Sequence, residues 1–200
     1  MTKPVFSKPF TQQEAIPEAG IARAVEIMKT GRLHRYNLLP DEAGEAAALE
    51  MEYAKWQGTD YCIACTSGGY AIQLGLRVCG VKPGDKVLAN AYTLAPVPGA
   101  IHNVGGVPVL VDIDESYHID CDDLDAKAAA SGAKYLLLSY MRGHIPDMDK
   151  LLAVCAKYDI CLIEDCAHTM GAKWRGIRSG NFGKVAAFST QTYKHMNSGE

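Results

Sequence analysis

Residues 135–165 read YLLLSYMRGHIPDMDKLLAVCAKYDICLIED. The stretch opens on a continuous apolar run, Tyr135–Leu138, and ends on another, Cys161–Ile163, followed at once by two carboxylates. Between them, Asp147–Tyr158 carries its apolar residues at helical spacing. A run that is apolar at every position has no wet face, so it fits a strand covered on both sides, as parallel sheets are. Strand, helix and strand in that order make a βαβ unit.

The same alternation continues in both directions. Apolar runs recur at Tyr61–Cys65, Lys86–Ala89, Pro108–Val111 and Val185–Phe188, and segments of helical character at Tyr70–Cys79, Ala95–His102 and Cys121–Ala130. Two helices are expected ahead of them. One spans Glu18–Lys29 and stops at Gly31; the other spans Ala43–Trp56, with Leu49, Tyr53 and Trp56 on one face, and stops at Gly58. The expected fold is therefore α/β, a three-layer sandwich around a mostly parallel sheet.

Composition sets outer bounds. The chain has 200 residues, 48% hydrophobic and 22% charged, with a net charge of −3, so a basic footprint for nucleic acid is missing. No apolar run approaches the length of a membrane span. The first residues, MTKPVFSKPF, lack an apolar segment of the secretory kind. The expectation is a cytoplasmic protein without membrane or nucleic-acid partners. Seven cysteines is an odd count, and most lie in or beside apolar segments, where a reduced thiol behaves as a small hydrophobe. Cys62 and Cys65 form C-x-x-C, but no second pair has matching spacing, so core packing is the expectation over a metal or redox site.

In a parallel sheet, ligands sit beyond the carboxyl ends of the strands. After YCIAC comes Thr66-Ser67-Gly68-Gly69 at the start of a helix. Glycines there let the backbone approach a ligand, and a helix N-terminus presents free N–H groups, which suits a phosphate as well as a plain turn. After CLI comes Glu164-Asp165-Cys166-Ala167-His168. A carboxylate at a buried strand end needs a cation or a strong donor; a protonated pyridine nitrogen would serve, and so would a cap on the next turn. After the last strand comes Ser189-Thr190-Gln191-Thr192-Tyr193-Lys194-His195. A lysine in a partly apolar cleft can lose its proton and attack an aldehyde, and Ser189 offers a hydroxyl to a phosphate. No G-x-G-x-x-G follows a strand, which disfavours a dinucleotide fold.

Taken together, LExEYAKWQG, SGGYAIQLGL, KPGDKVLANAYT, PVLVDID, PDMDKLL, LIEDCAHTMGA and FSTQTYKHMNSGE, in unbroken order from about Gly31 to Glu200, resemble the DegT/DnrJ/EryC1/StrS family of pyridoxal-phosphate (PLP) aminotransferases, of fold type I. The resemblance implies PLP as cofactor, Lys194 as the Schiff-base lysine and proton shuttle, Asp165 at the pyridine nitrogen and His168 near the ring oxygen. It implies Ser67, Gly68, Gly69 and Ser189 around the phosphate, and Leu94 where most members stack an aromatic ring on the cofactor. The implied reaction moves an amino group from glutamate or glutamine to a keto-sugar or keto-cyclitol acceptor, in a homodimer or larger assembly. A non-catalytic PLP-binding half that needs a second chain, or another PLP reaction on the same scaffold, is the alternative. Gly69, Leu94, Tyr140 and Arg142 depart from the family pattern and bear on the substrate. Family members continue beyond the lysine into a smaller domain, whereas this sequence ends inside that motif, so residues 1–200 are expected to be the large domain without its carboxyl-terminal companion.

Overall fold

In the computed structural model, which describes residues 5, 7, 13–36, 38–39 and 44–199, five strands form one parallel sheet. They are β1 (Lys86–Asn90), β2 (Val107–Val111), β3 (Tyr135–Ser139), β4 (Cys161–Asp165) and β7 (Val185–Ala187), in the order β2-β1-β3-β4-β7. A two-stranded hairpin, β5 (Lys173–Trp174) and β6 (Ile177–Arg178), lies outside the sheet. The strands YLLL and CLI bury nearly every side chain, as continuous apolar runs require.

Alternate strand residues face opposite layers. Leu88, Leu136, Leu138 and Leu162 pack with α5 (Cys121–Ser131) and α6 (Met148–Tyr158). Val87, Ala89, Leu137, Ile163 and Ala187 pack with α3 (Gly68–Val78) and α4 (Pro96–Asn103). The three-layer expectation therefore stands. Each of the longer crossover helices opens on a side-chain cap that takes up otherwise unpaired N–H groups: Ser67 for α3, Asp120 for α5 and Asp147 for α6. The leading helices α1 (Glu18–Thr30) and α2 (Glu45–Gln57) end on Gly31 and Gly58 in the left-handed conformation, as the sequence suggested. Ala43, the expected start of the second helix, lies outside the described residues.

One expected strand is absent among the described residues. Tyr61–Cys65 has the alternating composition of a strand but pairs with no other strand, and Tyr61 and Ile63 are 91% and 61% exposed. Composition suits a residue to a ladder but cannot supply the neighbouring strand. Here side chains hold the backbone instead: Glu50 Oε1 accepts from Ala64 N–H at 2.7 Å, and Arg35 donates to the Ala64 carbonyl. Cys62 and Cys65 are accordingly half-buried rather than core residues.

Candidate active site

The strand order locates the cleft. From β1 the chain moves to β2 on one side, then returns to lay β3 on the other, so the sheet switches direction between β1 and β3. Helical connections diverge at such a point and leave a crevice at the carboxyl ends of the strands. Asn90, the last residue of β1, closes its floor. Its amide donates to the Ser139 carbonyl (3.1 Å) and accepts from the Ser139 N–H (2.9 Å), tying β1 to β3. Ser139 Oγ then donates to Asp165 Oδ2 at 3.0 Å across to β4. Asp165 Oδ1 accepts from Ala167 N–H at 3.1 Å, so this carboxylate does cap the turn that follows it. Two donors leave an ionised carboxylate with free lone pairs. Burial pushes the Asp165 carboxyl above its usual range, against the pull of those two donors and of the Lys194 charge.

The preceding residue faces away from the cleft and is fully satisfied. Glu164 Oε1 accepts from the N–H groups of Phe182 (2.9 Å) and Gly183 (2.6 Å), and Oε2 from Gly180 N–H (2.8 Å) and Tyr140 Oη (2.6 Å). Tyr140 is 1% exposed and points into the core. Its departure from the family pattern thus belongs to the interior rather than to a substrate surface.

Lys194 sits in a turn closed by its own N–H to the Gln191 carbonyl (2.7 Å) and by Ser198 N–H to the Thr190 carbonyl (2.9 Å). Its Nζ lies 2.8 Å from His168 Nε2. The other ring nitrogen, Nδ1, accepts the backbone N–H of Arg142 at 3.2 Å. A neutral imidazole has one donor and one acceptor, so across the 2.8 Å contact one of the two nitrogens donates and the other accepts. Burial, then the charges of Lys194, Arg142 and His195, lower His168 to about 4. Burial also lowers Lys194, with Asp165 pulling it up and Arg142 pushing it down.

The turn into α3 supplies a cradle. Ser67 Oγ accepts from Tyr70 N–H, while the N–H groups of Gly68 and Gly69 open the helix and have no partner within it. A β-carbon at Gly68 would lie 3.3 Å from Ser189 Cβ and 3.6 Å from its Oγ, so any side chain there would crowd Ser189. At Gly69 the nearest neighbour to such a carbon is Pro96 Cβ at 3.8 Å. Leu94, two residues before that proline and ahead of α4, is 46% exposed. A second cleft, at the opposite end of β4, is lined by Cys79, Cys155 and Cys161. Burial pushes Cys79 up to about 12 and Cys155 to about 11, which leaves these thiols protonated and unreactive near neutrality.

A model of the DegT/DnrJ/EryC1/StrS aminotransferase family matches residues 16–200. The chain belongs to that family. It is 36% identical over 157 residues to a 3-amino-5-hydroxybenzoate synthase of Amycolatopsis mediterranei, covering 78% of this chain and 40% of that protein. It is 30% identical over 186 residues to an L-glutamine:2-deoxy-scyllo-inosose aminotransferase of Streptomyces lividus, covering 92% of this chain and 44% of the relative. Among solved structures, a Streptococcus pneumoniae protein described as a sugar aminotransferase, in its PLP form, superposes with a TM-score of 0.81 at 26% identity, over 96% of this chain and 50% of that one. The chain thus spans about half the length of the relatives it matches.

Against the DegT-family expectation, the structure brings Lys194, His168 and Asp165 together at one strand edge and sets Gly68 against Ser189 at another. Residue reading passed over Asn90, Ser139 and Glu164. Ser139 and Asn90 look like ordinary strand-end polar residues, and only the pairing of β1 with β3 and of β3 with β4 shows that they form a relay to Asp165. Glu164 had one available signal, a second carboxylate in a strand buried on both faces.

Proposed function

We propose that residues 1–200 form the PLP-binding large domain of an aminotransferase that passes an amino group from glutamate or glutamine to a keto-sugar or keto-cyclitol acceptor. The observation that carries this reading is Lys194 held against His168 beside a half-satisfied, buried Asp165. Family membership supports it, as do the names of the relatives, which act on cyclitols and related carbocycles.

The side chains fit the cofactor. When bound, PLP supplies an aldehyde carbon for an amine and a pyridinium ring that takes up an electron pair. Gly68 and Gly69 would hold its phosphate through their N–H groups at the positive end of α3, with Ser67 shaping the turn and Ser189 Oγ as a further donor. Asp165 would receive the ring N–H on a free lone pair, and Ser139 keeps that carboxylate in place. Lys194 Nζ, whose pKa burial lowers, would be the attachment point and then the base that carries a proton at the reacting carbon. His168 Nε2 orients that nitrogen. Leu94 covers one rim of the cleft with an aliphatic side chain in place of a ring.

The exposed apolar residues of α1 and α2, among them Ile21, Val25, Met28, Leu49 and Met51, support a dimer or larger assembly as the working unit. The seven free cysteines support a reducing, cytoplasmic setting; among the described residues no helix is long and apolar enough to cross a membrane. Borohydride reduction of the PLP-incubated protein, followed by peptide mapping, should place a phosphopyridoxyl group on Lys194. Label on another lysine, or none on folded protein, would sink the assignment.

A further inference from the structure

We infer that Arg142 is the receptor for a carboxylate group of the substrate, seated at the mouth of the cleft beside Lys194. The inference rests on the aminotransferase reading above and adds a binding group to it.

The first observation is conformational. Gly143 N–H bonds the Tyr140 carbonyl at 3.0 Å, closing a turn in which Arg142 is the third residue. Its φ of 57° and ψ of 19° put it in the left-handed region, which glycine and asparagine occupy cheaply and a long side chain does not. Two of the other three non-glycine residues with positive φ have local reasons: Asp159 caps α6 and Arg175 turns the β5–β6 hairpin. Arg142 takes this conformation at the third position of its turn, where glycine or asparagine would be the unstrained choice. Strain of this kind persists where the surroundings impose it, and it gathers at functional sites.

The second observation is placement. The Arg142 backbone N–H bonds His168 Nδ1, and His168 Nε2 meets Lys194 Nζ. Arg142 is therefore two hydrogen bonds from the reactive amine. It is exposed, and its charge reaches both His168 and Lys194.

The third is an unmet charge. Several other cations are paired, as in Arg23 with Glu45, Arg35 with Glu50, Lys157 with Asp125 and Arg175 with Asp149. Among the described residues Arg142 has no carboxylate within ion-pair distance. A guanidinium fork matches a carboxylate with two parallel hydrogen bonds. Two residues on, the His144 ring meets Tyr117 (6.0 Å between ring centres), which in turn meets Tyr92 (5.3 Å), with ring planes tilted by 47° and 48°. The carboxylate can come from the amino donor or from an acidic acceptor.

Glutarate, an unreactive dicarboxylate, tests the site without turnover. Calorimetric titration of the cofactor-free protein should show binding that Arg142→Gln weakens roughly tenfold or more and Arg142→Lys partly restores, as expected for a hydrogen bond to a charged group. Arg142→Asn, which suits the left-handed conformation, should melt at or above the wild-type temperature while losing the glutarate affinity. In the PLP-loaded protein, absorbance titration with L-glutamate and with D-glucuronate separates the sources: weakening of glutamate alone assigns the subsite to the donor, weakening of glucuronate alone to an acidic acceptor. Glutarate affinity that is absent in wild type, or unchanged in folded Arg142→Gln, overturns the proposal. A wild-type protein that takes up no PLP but shows the Arg142-dependent glutarate affinity would separate failure of the cofactor reading from success of this one.

Discussion

Glu164 and Asp165 are consecutive, both buried, and at the end of the same strand, yet they do opposite things. Glu164 is wholly inaccessible and accepts four hydrogen bonds, three from the backbone of the 180–183 loop and one from Tyr140. Asp165 keeps 8% exposure and accepts two. A carboxylate whose lone pairs are all engaged by the protein is a fastener; one left partly unengaged at the edge of a cleft is available to a ligand. The strand's two-residue period sends the first to the α5–α6 side and the second toward the cleft. Burial alone would not have told them apart, because the number of donors decides.

The largest effect is expected from breaking the fastener. Glu164→Ala takes the acceptor from three backbone N–H groups, that of Gly180 buried and those of Phe182 and Gly183 partly so, and leaves the Tyr140 hydroxyl only Met148 Sδ, at about 1–3 kcal/mol for each buried group left unsatisfied. Urea unfolding should show a loss of at least about 3 kcal/mol. Tyr140→Phe removes one donor and should cost about 1 kcal/mol. A Glu164→Ala protein as stable as the parent would erase the distinction drawn between the two carboxylates.

Asp165→Asn should do the reverse, sparing the fold and removing function. Its folded carboxyl is shifted up by burial, so the ionised form is what the fold tolerates poorly. A group with a raised folded pKa contributes stability that is full below its unfolded pKa and is lost as pH rises through the folded one. At neutral pH the Asn variant should therefore melt no lower than the parent. On the proposed reading, aminotransferase turnover should fall roughly a thousandfold, about 4 kcal/mol of barrier. Near-normal turnover would show that the ring nitrogen is held elsewhere.

The smallest effect concerns His168, whose pKa is lowered from 6.5 to about 4. Here the sign is opposite: a depressed folded pKa means the unfolded chain binds the proton first as pH falls. Stability should decline between pH 6.5 and 4, by at most about 1.4 kcal/mol per pH unit and less after solvent screening. His168→Gln should flatten that part of the profile. An NMR titration that finds the ring protonating near 6.5 would show that burial and the neighbouring charges do not hold it neutral.

Much of this architecture could be read from residues alone, because the signals are local. Continuous apolar runs at Tyr135–Leu138 and Cys161–Ile163 announce strands buried on both faces, and Ser67, Asp120, Gly31 and Gly58 mark helix ends by chemistry that acts within one turn. Lys194, Asp165, His168 and Gly68 could be picked out because they follow such runs, where a parallel sheet puts its ligands. What sequence could not determine depends on partners far away in the chain. Whether Tyr61–Cys65 joins a sheet depends on a neighbouring strand, and no property of those five residues supplies one. Ser139 matters to Asp165 only because β3 and β4 align in register, and Arg142 matters only because a left-handed turn after β3 brings its N–H to a histidine 26 residues on. Hydrogen bonds, tautomers and unmet charges are properties of pairs. The tertiary structure chose the pairs.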